Sequence, residues 1–170
     1  MRTDIDDKII ELIKINENIS NSEISRILGI PEKDIERRIR NFSDARQKIL
    51  IVDDEIATLL PLKASLEAEG YVVIEAWDGY EAIEKSKAEK PELIILDLML
   101  PGINGLEVCD RLRSDAITKK IPVIMLTAKD EMQDKINGLE IGADDYVTKP
   151  FNLKELKARI KNILKRSRDN

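Results

Sequence analysis

Two periodic regimes in one chain of 170 residues predict an α/β fold preceded by a small all-helical domain. From Lys48 onward, apolar runs of strand length alternate with amphipathic stretches, whereas before it apolar residues recur only at helical spacing. The runs ILIV, LIIL and VIML carry no polar alternation, as parallel strands covered on both faces require. Together these observations give a doubly wound parallel sheet of five strands over residues 47–170 and three helices over residues 1–46.

The first helix follows from Ile5, Ile9, Leu12 and Ile13, which fall at i, i+4, i+7 and i+8. Ile24, Ile27 and Leu28 define the second; Ser20 or Ser22 can cap it, and Glu23 stands three residues after Ser20, as a capping box requires. Gly29 ends that helix. Ile35, Ile39 and Phe42 define the third, with Pro31 as its first residue, where a missing N–H costs nothing. The expected lengths are about 11, 8 and 11 residues, with a tight Gly29-Ile30-Pro31 corner between the last two. The stretch NFSDARQ, 41–47, is a short connection. Beyond it, KILIV, YVVIE, ELIIL, IPVIML and DDYVT are the strands. The helices expected around them are 55–69, 79–88, 104–113, 130–139 and 152–166, joined by right-handed crossovers.

Lys and Arg number 28 against 33 Asp and Glu, a formal charge of -5, which excludes a generally basic nucleic-acid wrapper but leaves room for a local basic face. One cysteine and no histidine exclude an internal disulfide and a Cys/His zinc cluster. No run approaches ~20 apolar residues, and MRTDIDDK lacks the charged-then-apolar order of a secretory signal. The expected location is the cytoplasm, with no membrane partner.

KILIVDDE ends a buried strand on two adjacent carboxylates, Asp53 and Asp54. Such a pair is costly to desolvate and repels itself, so a cation or a charged donor is expected against it. Ligands collect beyond the carboxyl ends of parallel strands, where Asp97, Thr127 and Lys149 also fall. In the flavodoxin-like strand order 2-1-3-4-5 the first and third strands are neighbours, and the three carboxylates converge. A hard divalent ion such as Mg²⁺ relieves their repulsion, with Lys149 adding positive charge. Taken singly, each residue has an ordinary structural explanation: the aspartates or Thr127 as helix caps, Lys149 as a solvated cation, Tyr146 as packing. Their joint occurrence at four strand ends favours a functional site that holds a metal. Gly102 and Gly105 are accounted for by a tight turn after Pro101, and Cys109 by packing as a small hydrophobe.

The motifs ILIVDDE, LIILDLMLPGINGLEV, VIMLTA and GADDYVTKPF resemble, in order and spacing, the receiver domain of two-component response regulators, over about 70% of the chain. The resemblance implies that Asp97 is the phosphoacceptor and that Asp53 and Asp54 are the acidic pair, Asp54 binding Mg²⁺ directly. It implies that Met99 offers its backbone carbonyl to the metal, that Thr127 and Lys149 bond the phosphoryl oxygens, that Tyr146 is the switch aromatic, and that Lys149-Pro150 is a cis peptide. Such a domain is not a conventional enzyme but assists its own phosphorylation and dephosphorylation. With no histidine in the chain, the donor is a histidine kinase, a histidine phosphotransfer protein or a small phosphoryl compound.

The segment ISNSEISRILGIPEKDIERRIRNF resembles the helix-turn-helix unit of the leucine-responsive/asparagine-synthesis family of transcription regulators. With Ile35, Ile39 and Phe42 inward, the third helix presents Lys33, Arg37, Arg40 and Asn41 to DNA, and Ser22 helps position the backbone. A homodimer is the expected DNA-bound form. Residues 1–46 nevertheless hold nine Lys plus Arg and ten Asp plus Glu, so a dimerisation or docking module for protein contacts is the alternative. An α/β phosphatase working through an aspartyl phosphate is a further rival, but it would place its nucleophile in the first strand's acidic motif and leave LDLMLPG without a purpose.

Overall fold

The computed structural model describes residues 3–128 and 142–168. Two compact units divide the chain, Met1–Arg46 and Gln47–Asn170. The first contains α1 (Asp4–Ile15), α2 (Asn21–Leu28) and α3 (Glu32–Ala45). Ser20 caps α2: its hydroxyl accepts the Glu23 N–H at 3.2 Å, and the Glu23 carboxylate accepts the Ser20 N–H at 2.9 Å. Gly29 follows α2 in the left-handed region at φ 67°, and the Ser25 hydroxyl closes the corner by donating to the Ile30 carbonyl at 2.6 Å.

Two boundaries of this unit differ from the periodic reading. Pro31 stands just before α3 rather than within it, and its carbonyl accepts the N–H groups of Asp34 and Ile35 at 2.9 and 3.2 Å. At the other end α3 runs to Ala45, because Ser43, Asp44 and Ala45 include no glycine or proline to stop it once the apolar stripe has ended. Ile9, Ile24 and Ile35 form the fully buried centre of this unit, with partly buried neighbours such as Leu12, Ile39 and Phe42 around it.

The second unit begins with β1 (Lys48–Val52), α4 (Ile56–Ala68), β2 (Val72–Ala76) and α5 (Gly79–Glu89). It continues with β3 (Leu93–Asp97), α6 (Gly105–Ser114), β4 (Val123–Ala128), β5 (Asp145–Lys149) and α7 (Leu153–Arg168). The five strands lie in the order β2-β1-β3-β4-β5, and every pairing is parallel. Successive residues of a strand point to opposite faces, which divides the apolar runs between two cores. Ile49, Ile51, Leu93, Ile95, Ile124 and Leu126 pack under α4 and α7, on one face. Leu50, Val52, Ile94, Leu96, Val123 and Met125 pack against α5 and α6, on the other, where Cys109 is fully buried. The helix expected over 130–139 lies outside the described residues.

Strand register aligns the carboxyl ends. Val52 pairs with both Ala76 and Leu96, Asp97 with Leu126, and Ala128 with Lys149. The strands therefore end together, bringing Asp53, Asp97, Thr127 and Lys149 to one edge of the sheet.

Candidate functional site

Two carboxylates at this edge are out of solvent: Asp53 is 0% exposed and Asp97 5%. Asp54, the next residue along, is exposed. Carboxylate oxygens of Asp53, Asp54 and Asp97 all lie within 4.8 Å of one another. The Lys149 ammonium donates to Asp53 Oδ2 at 2.8 Å and to Asp97 Oδ2 at 3.2 Å, so one cation serves two buried anions. The other carboxylate oxygens meet backbone donors. Asp53 Oδ1 accepts the Glu55 N–H at 2.9 Å, and Asp97 Oδ1 accepts the Met99 N–H at 3.3 Å.

The charge is left uneven. Burial, and then the neighbouring Asp53 charge, push the Asp97 carboxyl up to about 6, against the pull of Lys149 and the Met99 N–H. Burial by itself would lower the Lys149 ammonium, but its hydrogen bond to Asp53 and the charges of Asp97 and Asp53 outweigh that and hold it above the ordinary lysine value. Lys149 is thus well served, while Asp97 shares this cation with Asp53 and carries excess negative charge beside it. A cluster of hard oxygen donors with this imbalance fits Mg²⁺ or Ca²⁺ and offers no nitrogen or sulfur for a softer metal. Asp53, Asp54 and Asp97 are the residues that could hold such an ion.

The other expected residues fall around this centre. Thr127 is 2% exposed, directly after the register partner of Asp97, and its hydroxyl donates to the Ala128 carbonyl at 3.1 Å. Met99 reaches the site through its N–H, while its side chain is solvent-exposed. Tyr146 lies inward, in the core beneath α5 and α6. The Lys149-Pro150 peptide bond is cis. The N–H groups of Glu55 and Met99, which complete the carboxylate contacts, were not legible in the sequence, because a backbone donor carries no residue-type signal.

In the N-terminal unit Lys33, Arg37, Arg40 and Asn41 are all exposed on α3. Arg37 makes a 2.8 Å ion pair with Asp34 one turn earlier. Arg38, which sequence reasoning passed over, turns to the other side and donates to Asp6 Oδ1 at 2.5 Å and Thr3 Oγ1 at 3.2 Å, tying α3 to the start of α1. Asp6 is buried beneath it, with its carboxyl held below the usual range first by the Thr3 N–H and, despite burial, further by the Thr3 hydroxyl and Arg38. An acidic first turn explains Asp6 in sequence terms, so nothing there marked it as a partner for Arg38.

Comparisons with known proteins bear on the five-stranded unit. The chain is 54% identical over 121 residues to the alkaline phosphatase synthesis transcriptional regulatory protein PhoP of Bacillus subtilis, covering 71% of this chain and 50% of that protein. It is 50% identical over 119 residues to the phosphate regulon transcriptional regulatory protein PhoB of Pseudomonas aeruginosa, covering 70% and 52%. The chain therefore spans about half the length of these curated relatives. Among solved structures, a CheY-like response regulator receiver domain protein from Methanospirillum hungatei superposes with a TM-score of 0.69 at 32% identity, covering 73% of this chain and 98% of that one. Residues 49–161 match the response regulator receiver domain, and with the strand order, the buried Asp53 and Asp97 and their shared lysine this places the chain in that family.

Proposed function

We propose that this two-component response regulator accepts a phosphoryl group on Asp97 from a histidine kinase or a histidine phosphotransfer protein, in a Mg²⁺-dependent reaction, and regulates transcription through a DNA-binding domain formed by residues 1–46. The observation that carries the first half is the Asp97 carboxylate, 5% exposed, gripped by Lys149 and the Met99 N–H beside two further carboxylates. An oxygen held in place and short of positive charge is a nucleophile poised for an electrophilic phosphorus.

In the transfer, one Asp97 oxygen forms a bond to phosphorus while the donor's bond to phosphorus breaks in line, and the electron pair leaves with the donor group. Lys149 neutralises charge on the equatorial oxygens, and the Thr127 hydroxyl, rotating away from the Ala128 carbonyl, donates to one of them. Asp53 holds Lys149 in place. Mg²⁺, held by Asp53, Asp54, Asp97 and the Met99 carbonyl, would supply the remaining charge compensation. The same groups favour hydrolysis of the product, so the domain assists both its loading and its discharge. Thr127 and Tyr146 would carry the switch: a new bond from the hydroxyl draws in its loop, opening room for the ring to change position.

Lys33, Arg37, Arg40 and Asn41 are the proposed DNA contacts, on a helix whose opposite side packs into the core. The names of the relatives, both transcriptional regulators, support an output of this kind. The near balance of charge in residues 1–46, nine cations against ten anions, favours a second reading in which the unit docks or dimerises through protein contacts.

The test is phosphorylation by acetyl phosphate with Mg²⁺, followed by Phos-tag electrophoresis and mapping of the acid-labile product. Wild type is expected to take one label at Asp97, and Asp97→Asn none. Label that persists and maps to Asp53 or Asp54 would assign the nucleophile elsewhere.

A further inference from the structure

Gly105 opens α6, eight residues beyond Asp97, and a tight turn is the obvious reason for a glycine there. The backbone says otherwise. Gly102 sits in the left-handed region at φ 80°, but Gly105 is not among the positive-φ glycines, so its conformation is open to any residue. What forbids a side chain is space: a Cβ on Gly105 would stand 2.5 Å from the Asp97 carbonyl oxygen, 2.8 Å from Leu98 Cα and 3.1 Å from the Asp97 carbonyl carbon. All three are backbone atoms, which cannot swing aside as the end of a side chain can. The Gly105 N–H also donates to the Leu98 carbonyl at 2.8 Å, holding the helix start against the next peptide along.

We infer that Gly105 is a positioning residue for the Asp97 carboxylate: its missing side chain lets α6 seat directly on the Asp97-Leu98 peptide and fixes where the acid meets Lys149, Asp53 and the Met99 N–H. The inference rests on Asp97 being the phosphoacceptor. A Cβ needs the Asp97 carbonyl oxygen, 2.5 Å away, to retreat by roughly 0.9 Å or more to reach an ordinary contact distance, in an interior that does not give freely. The retreat acts on the residue whose contacts to Lys149 and Met99 are already the longer ones, 3.2 and 3.3 Å. Displacements of this size near a reacting atom lower rates by up to about a hundredfold.

A second glycine supplies the control. Gly79, at the start of α5, is at least as crowded, with a Cβ falling 2.5 Å from Ile103 Cγ1, 2.6 Å from Val108 Cγ2 and 2.9 Å from the Ile103 carbonyl oxygen, none of them part of Asp97. A purely structural cost would appear in both variants, whereas misplacement of Asp97 belongs to one.

The experiment measures Mg²⁺ affinity by calorimetry, the rate of acetyl phosphate labelling and thermal stability for wild type, Gly105→Ala and Gly79→Ala. Gly105→Ala is expected to bind Mg²⁺ about tenfold more weakly, or worse, and to label correspondingly slowly while folded. Gly79→Ala should melt earlier yet keep wild-type Mg²⁺ affinity and labelling rate. A folded Gly105→Ala with wild-type affinity and rate overturns the inference, as does an equal loss in both variants. Should Gly105→Ala not fold, the wild-type Gly105 amide resonance decides: it is expected to shift through a Mg²⁺ titration with the same midpoint as calorimetry, and a stationary resonance overturns the inference. Wild-type protein that neither binds Mg²⁺ nor takes label would overturn the reading of the Asp97 site itself, and this inference with it.

Discussion

Asp97 shows how one residue can be both costly to the fold and suited to its task. Its carboxyl is raised to about 6 by burial and by Asp53, so between about pH 4 and 6 the folded chain holds this proton more tightly than the unfolded chain does. The group's contribution to stability is therefore complete below about pH 4 and falls away as pH rises through 6. Removing the charge should reverse that loss: without Mg²⁺, Asp97→Asn is expected to be more stable than wild type by about 1 to 3 kcal/mol near pH 7.5, and no more stable below about pH 4. Urea titrations at the two pH values check this, and a variant less stable than wild type at neutral pH would show that lost hydrogen bonds outweigh relieved repulsion. Lys149 stands on the opposite side of the balance. Lys149→Ala leaves Asp53 and Asp97 buried together without their cation, a change expected to cost about 3 to 5 kcal/mol, read as an earlier thermal transition of the receiver unit.

At the scale of elements, the two units rest on unequal foundations. The N-terminal helices close over three fully buried isoleucines, so a small change there is a large fraction of the unit's stability. Loss of the Ser20 cap through Ser20→Ala should cost about 1 kcal/mol. Ile24→Ala, at about 2 to 5 kcal/mol, should unfold the unit altogether. Circular dichroism would record lost helicity in Ile24→Ala while Asp97 labelling stays at the wild-type rate, because the receiver has its own cores. The third helix carries the DNA prediction. Arg37 and Arg40 are both exposed, and changing both to Ala is expected to weaken DNA retention at least tenfold, about 1.4 kcal/mol, without altering labelling. Retention equal to wild type, or no retention of any duplex at low salt by either protein, would replace the DNA reading with the protein-contact one.

For the molecule as a whole, a net charge of -5 and a near-neutral N-terminal unit make a single copy a poor ligand for DNA, since non-specific affinity comes almost wholly from phosphate neutralisation. Two copies on a two-fold axis double the contacts and add the gain from local concentration. Phosphorylated wild type is accordingly expected to elute at dimer size, with DNA retention that falls steeply with salt and is cooperative in protein concentration; sedimentation and fluorescence anisotropy together check it. Mg²⁺ offers a separate readout. At about 100 times its dissociation constant it should stabilise the receiver unit by roughly 2.7 kcal/mol, leave the N-terminal unit unmoved, and have no such effect on Asp97→Asn.

The ILIV, LIIL and VIML runs were enough to specify a parallel sheet with both faces covered, and DD, D, T and K at four strand ends were enough to nominate a site, because periodicity and residue chemistry are local properties of a chain. Ser20, Glu23 and Gly29 likewise announced the limits of α2. The end of α3 did not announce itself, since a helix can outlast its apolar stripe when no breaker follows. Arg38 drew no notice in the sequence, and only folding brought Asp6 from α1 against it. Gly105 looked like a turn residue until α6 was seated on the Asp97 peptide. The shared grip of Lys149 on Asp53 and Asp97 joins positions 96 and 52 residues apart, and the excess charge left on Asp97 depends on their burial and spacing. Residue types determined which chemistry was on offer; distances through space, which no local pattern encodes, decided which groups compete for one cation and which backbone must stay bare.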